Sequence, residues 1–108
     1  MAEMKELEGI LATAMKMRDQ LAQVQEELAR QTVEAQAGGG MVTVKASGAQ
    51  EILSITVEDS VIDPKEKTML QDLVVAAVNL ALARARELAR NELAKVAGGL
   101  ALPPGLLG

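Results

Sequence analysis

Phenylalanine, tyrosine, tryptophan, histidine and cysteine are all absent from the 108-residue sequence. Each absence removes a class of chemistry. Without cysteine there is no disulfide and no thiolate metal site, a composition that suits a reducing cytoplasm. Without histidine the commonest general base and the commonest metal ligand are missing. A nucleophile–base pair would have to join Ser or Thr to Lys or Asp, and nothing in the spacing suggests one. Without aromatic rings, bases cannot be stacked as single-strand binders stack them. No Gly-x-Gly-x-x-Gly unit follows a strand and opens a helix, and Gly38–Gly40 lies between strands rather than around a phosphate. Glu58, Asp59 and Asp63 cluster where a turn and a helix cap are expected, which accounts for them without a metal. The start, MAEMKELEG, is acidic and mixed, unlike a secretory signal. No apolar run reaches the ~20 residues of a membrane span. These exclusions predict a cytoplasmic protein that is not an enzyme, uses no cofactor or metal, takes no small-molecule substrate and engages no membrane.

What is present is aliphatic. Hydrophobic residues make up 49% of the chain, all of them Leu, Val, Ile, Met or Ala. The length predicts one domain over 1–108 with a modest core. Since aromatic rings normally supply large buried areas, further burial is expected from an oligomer interface. The net charge is −4, which by itself disfavours a polyanionic partner. Its distribution matters more. The middle of the chain is acidic, whereas residues 73–108 carry Arg84, Arg86, Arg90 and Lys95 against only Glu87 and Glu92. Local potential governs where a polyanion docks.

Periodicity divides the chain into helix, sheet and helix. Over 1–30, Met4, Leu7, Leu11, Ala14, Leu21 and Leu28 recur at three- and four-residue steps and in sevens, flanked by Ile10, Met17 and Val24: a wide apolar stripe on a long helix. Arg18 and Gln25 interrupt its heptad. Residues 32–57 read as a three-stranded antiparallel meander. Thr32 to Ala37 alternates weakly; Met41 to Ala46 places Val42, Val44 and Ala46 on one face; Glu51 to Val57 places Leu53, Ile55 and Val57 on one face and Ile52, Ser54 and Thr56 on the other. The intervening GGG and SGAQ are turns. Asp63 then caps a second helix, with Pro64 at its first position and Glu66 three residues after the cap. That helix is expected over 63–97, ended by Gly98 and Gly99, with an irregular tail over 98–108. From Met69 to Ala83 only Gln71, Asp72 and Asn79 are not apolar. A helix apolar nearly all round needs cover on more than one side. One sheet supplies one side, so a second chain must supply the other.

The basic residues of the second helix admit two readings. Arg86 and Arg90 share a face and Arg84 is offset. They form either a solvated face with ion pairs or a phosphate-binding face, since arginine makes paired hydrogen bonds to phosphate oxygens. Duplex contacts of the second kind would be mostly to backbone, with weak sequence reading and strong salt dependence.

The stretch GGGMVTVKASGAQEILSITVEDSVIDPKEKTMLQDLVVAAVNLALARARE, followed by GGLALPPGL, resembles the YbaB/EbfC family of bacterial nucleoid-associated proteins. The glycine-led hairpin, the start of the second helix and the terminal Leu-Pro-Pro-Gly carry the likeness, which spans essentially the whole chain. The resemblance implies an α+β fold assembled as a tweezer-like homodimer, with paired helices projecting as prongs. It implies binding of double-stranded DNA with limited sequence preference, chromosome organisation with possible gene regulation, a nucleoid location and no catalysis. Carried over by position, the dimer interface comprises Val42, Val44, Leu53, Ile55, Leu73, Val74 and Ala77. The DNA-binding prongs comprise Lys5, Lys16 and Arg18 with Arg84, Arg86, Arg90 and Lys95. The alternative is a helical-arm protein-interaction or chaperone-like adaptor, favoured by the acidic balance and by Met1, Met4, Met15 and Met17, because methionine surfaces adapt to varied partners.

Overall fold

The computed structural model describes residues 2–99; of the irregular tail expected over 98–108, Gly98 and Gly99 instead continue the second helix, and 100–108 lie outside the described residues. The order is helix α1 (Ala2–Arg30), strands β1 (Thr32–Ala37), β2 (Val42–Ser47) and β3 (Ile52–Val57), two single 3-10 turns (Asp59–Val61 and Pro64–Glu66), and helix α2 (Lys67–Gly99). The fold class is α+β. The sheet has the order β1-β2-β3 with both pairs antiparallel.

Local chemistry places the joints. Gly38, Gly39 and Gly40 all have positive φ, 64°, 68° and 99°, a run that side chains rarely tolerate. A Cβ on Gly38 would also fall 2.9 Å from the Leu73 side chain. The β2–β3 turn is closed by Ser47, whose amide donates to the Glu51 carbonyl at 2.8 Å and whose buried hydroxyl accepts from the Glu51 amide at 3.3 Å. Gly48 lets the end of α1 come close. Its amide donates to the Gln31 carbonyl at 2.9 Å, and a Cβ there would lie 2.8 Å from the Leu28 carbonyl oxygen. Asp63 caps as expected, accepting from the Lys65 amide at 3.0 Å. The Pro64 turn is 3-10, and regular α-helix starts at Lys67.

The core lies between one face of the sheet and α2. Ala35, Val42, Val44 and Ala46 meet Ala77 and Ala81, ringed by Val33, Ala37, Ile52, Val57 and the Leu70, Leu73, Val74, Val78 side of α2. Ala77, Ala81 and Ala85 follow one another at four-residue steps and are fully buried. With no Cγ to hold the backbones apart, α2 settles close to the strands. Ile52 differs from the expected alternation. The β2–β3 register shifts between Lys45 and Ala46, so that Ala46 pairs with Ile52 and Leu53 becomes the extra residue. Such an insertion switches the face taken by the residues beyond it, and Ile52 joins the core. By length and composition alone, Pro64–Gly98 is also apolar enough to cross a membrane, an 18-residue stretch within it having a mean hydropathy of 1.3. One side of that helix packs against the sheet, while Val75 and Leu80 remain exposed.

Two apolar surfaces stay open among the described residues. α2 lies over β1 and β2 and leaves most of β3 uncovered, so Leu53 and Ile55 are 48% and 46% exposed. Val75, 58% exposed, stands nine residues before Arg84, which on an α-helix is ~180° round the axis. Arg84 reaches β1; Val75 therefore lies on the side of α2 away from β1. The second open surface is the outer half of α1. Val24 and Leu28 are buried against the rest of the fold, but Met4, Leu7, Ile10, Leu11 and Met15 are exposed. The molecule is correspondingly long, 76 × 24 × 17 Å.

Candidate nucleic-acid interface

α1 returns antiparallel along the second half of α2, and together they form one arm that leaves the sheet. Gln20, Gln23, Val24 and Glu27 of α1 and Glu92, Lys95 and Val96 of α2 line the shallow cleft between them. The seven basic residues predicted from sequence are all exposed on this arm, but in different situations.

Arg84 sits at the root of the arm. Its guanidinium donates to the main-chain carbonyl of Glu34, one of the carbonyls that an edge strand leaves without a ladder partner. Glu34, Gln36 and Arg84 line a recess there. Arg84 therefore ties helix to sheet. Arg86 and Arg90 lie one turn apart on the side of α2 away from the core residues Ala81 and Ala85. Arg86 makes no ion pair among the described residues, and Arg90 approaches Glu87 at 3.3 Å. Lys95 pairs at 3.1 Å with Glu92, whose side chain is largely buried at the cleft. On α1, Arg18 makes only a loose contact of 3.8 Å with Asp19. Lys5 and Lys16 make none among the described residues. Their eleven-residue separation is close to three full turns and puts them on one flank.

Such exposed pairs contribute about 0–1 kcal/mol each, and a phosphate, with three acceptor oxygens and a higher charge, competes with a single carboxylate for them. The arm thus offers a short Arg86–Arg90 patch on one helix and a Lys5–Lys16 line on the other. A single chain has one arm.

The residues assigned to the dimer interface separate by depth. Val42, Val44 and Ala77 are wholly enclosed within one chain. Leu73 and Val74 are half-buried at the rim of the core. Leu53 and Ile55 keep open apolar surface. No sequence signal marks the Glu34 carbonyl as a partner for Arg84. Helical spacing does mark Gln20, three residues after Met17 and four before Val24 on the line that faces α2; its side-chain oxygen is buried without a hydrogen bond. Among the described residues no group of three Asp, Glu, His or Cys is arranged to hold a metal.

Comparison with known proteins agrees with this architecture. Residues 4–100 match the model of the YbaB/EbfC DNA-binding family. A protein of Syntrophobacter fumaroxidans named as nucleoid-associated is 53% identical over 94 residues, covering 83% of this chain and 86% of its own. A nucleoid-associated protein of Acetivibrio thermocellus is 48% identical over 100 residues, covering 93% and 88%. The crystal structure of an uncharacterized Helicobacter pylori protein, HP0035, is similar with a TM-score of 0.68 at 25% identity, covering 81% of this chain and 88% of that one.

Proposed function

Because this chain belongs to the YbaB/EbfC DNA-binding family, we propose that it is a nucleoid-associated protein of the cytoplasm whose homodimer grips double-stranded DNA between two helical arms. The observation that carries this reading is the Arg86–Arg90 pair, exposed on α2 away from the sheet. Two copies join through the apolar surface that α2 leaves open, with Leu53 and Ile55 of each chain beside Val75. Leu73 and Val74 back that surface, and Val42, Val44 and Ala77 support it from within. Joining the sheets fixes two arms in one rigid body, as the binding of a stiff duplex requires.

The bonding is to phosphate. Guanidinium groups on a convex helix reach the backbone before they reach base edges, and no aromatic residue is available to stack or wedge between bases. Sequence preference is accordingly limited, and the protein organises the chromosome through its many generic sites, with effects on expression following from occupancy. Lys5, Lys16 and Arg18 add contacts further along the arm. The net charge of −4 keeps non-specific attraction weak away from the arms, so binding is expected to need low to moderate salt.

A duplex titration at several salt concentrations tests the proposal. The logarithm of affinity should fall linearly with the logarithm of salt, with a slope of about −0.9 per phosphate neutralised. Arg86→Glu with Arg90→Glu should lower affinity at least ~10-fold and alike for unrelated sequences. Salt-independent affinity, or no binding even at low salt, would refute it.

A further inference from the structure

We propose that the open heptad seam of α1 docks a second copy of this chain, the two α1 helices lying antiparallel so that Met4 of each meets Leu21 of the other. This contact is separate from the joining of the sheets and does not depend on DNA. Three observations carry it.

The first is a repeat that the fold of one chain leaves unused. Met4, Leu7, Leu11, Ala14, Arg18 and Leu21 follow alternating three- and four-residue steps, the spacing of a coiled-coil seam. α2 packs along a different line of α1, through Gln20 and Val24. Leu7 and Leu11 stand roughly 100° and 140° round the helix from Val24. Met4 and Leu7 are each 65% exposed, and Leu11 is 60% exposed. The second is the shape of the seam. Ala14 is its small member, and a shallow groove beside it runs along Arg18, Leu21 and Ala22. In the antiparallel pair each Ala14 receives Leu11 of the second copy, large against small. The overlap from Met4 to Leu21 is ~25 Å long at ~1.5 Å per residue. The third is charge. Glu3, Glu6 and Glu8 outnumber Lys5 at the outer end of α1, whereas Lys16 and Arg18 outnumber Asp19 further in. Parallel pairing would set Arg18 against Arg18 inside the seam. Antiparallel pairing sets it beside Leu7 of the second copy, within side-chain reach of Glu8 there, and the two-fold axis repeats the contact. Within its own chain Arg18 has only the loose contact of 3.8 Å with Asp19. The face is thus complementary to itself, which is why its occupant is another copy of this chain. Lys5 and Lys16 lie on the opposite flank of α1 and stay open. Where the sheets also join, dimers are linked arm to arm; this consequence alone rests on the proposed sheet-to-sheet dimer.

The chain has no cysteine, so introduced thiols report proximity without background. Full-length Met4→Cys mixed with full-length Leu21→Cys, without DNA and under mild oxidation, should form the mixed disulfide at least ~10-fold faster than either forms its own. Like positions in the antiparallel pair are ~25 Å apart, whereas a disulfide needs Cα atoms within ~7 Å. Arg18→Glu in both proteins should slow the mixed disulfide severalfold, and adding Glu8→Arg should restore it. A mixed disulfide no faster than the like pairs would overturn the proposal, and so would a charge exchange that fails to restore the rate. Independently, Leu7→Asp with Leu11→Asp should leave circular dichroism unchanged and weaken association beyond the dimer at least ~10-fold in sedimentation. Undiminished association would assign the larger species to another surface and overturn it equally. Ile55→Asp should leave the mixed disulfide unaffected, so the failure of either contact is seen apart from the other.

Discussion

The sheet end of the molecule and the arm are built from the same aliphatic alphabet and use it in opposite ways. At the sheet, valine and alanine interlock: Val42, Val44, Ala46, Ala77 and Ala81 have no exposed surface. On the arm, larger side chains stand in the open, with Met4, Leu7, Ile10 and Leu11 all at least 60% exposed, and charges interleave with them. The difference teaches that residue size is not what determines burial here. Small side chains are buried because they let α2 approach the strands; large ones remain outside where the chain has nothing to set against them. Exposed apolar area of this kind marks sites for partners, whether another copy or another segment.

The rung that joins Val44 to Ile55 places the contrast within one pair of neighbours. Val44→Asp should be the most damaging change, because it puts an unpaired carboxylate into a sealed core at a cost of several kcal/mol; circular dichroism should show loss of the folded state at 25 °C. Ile55→Asp, directly across the ladder, should leave the fold intact and instead weaken self-association by ~100-fold or more, in line with loss of a central interface anchor, as read by sedimentation. If Ile55→Asp stays dimeric at micromolar concentration, the open face of β3 is not the interface. The smallest effect concerns the arm alone. Gln20→Leu replaces a buried oxygen that has no hydrogen-bond partner by an apolar group and should stabilise the protein by about 1 kcal/mol, detectable as a rise in Tm. A loss of stability would mean that the amide has a role in the seam.

Much of the fold is legible in the sequence because it rests on local rules. Helical spacing sets out α1 and α2, the glycine triplet marks a hairpin, and Asp63-Pro64 marks the 3-10 turn that leads into the second helix. Even the weakly alternating Thr32–Ala37 is a strand. The remainder depends on which element lies on which. Strand alternation groups Val44 with Ile55 on one face, yet says nothing of how far α2 extends over it; one is therefore sealed within the chain and the other left open. The displacement of Ile52 into the core comes from a bulge opposite Lys45 and Ala46, which only the paired strands define. Within the candidate site, the four-residue spacing of Arg86 and Arg90 is sufficient to place them together. The bond from Arg84 to a carbonyl fifty residues away has no local signature.

The alanines at 77, 81 and 85 have a mechanical consequence. α2 is a single rod from the sheet to the end of the arm, and Gly99 lies ~27 Å beyond Ala81 at 1.5 Å per residue. A bulkier residue at 81 that tipped the rod by only ~5° would swing its far end by ~2 Å over that length. The bearing of the arm is thus set at its root, by methyl groups far from its tip.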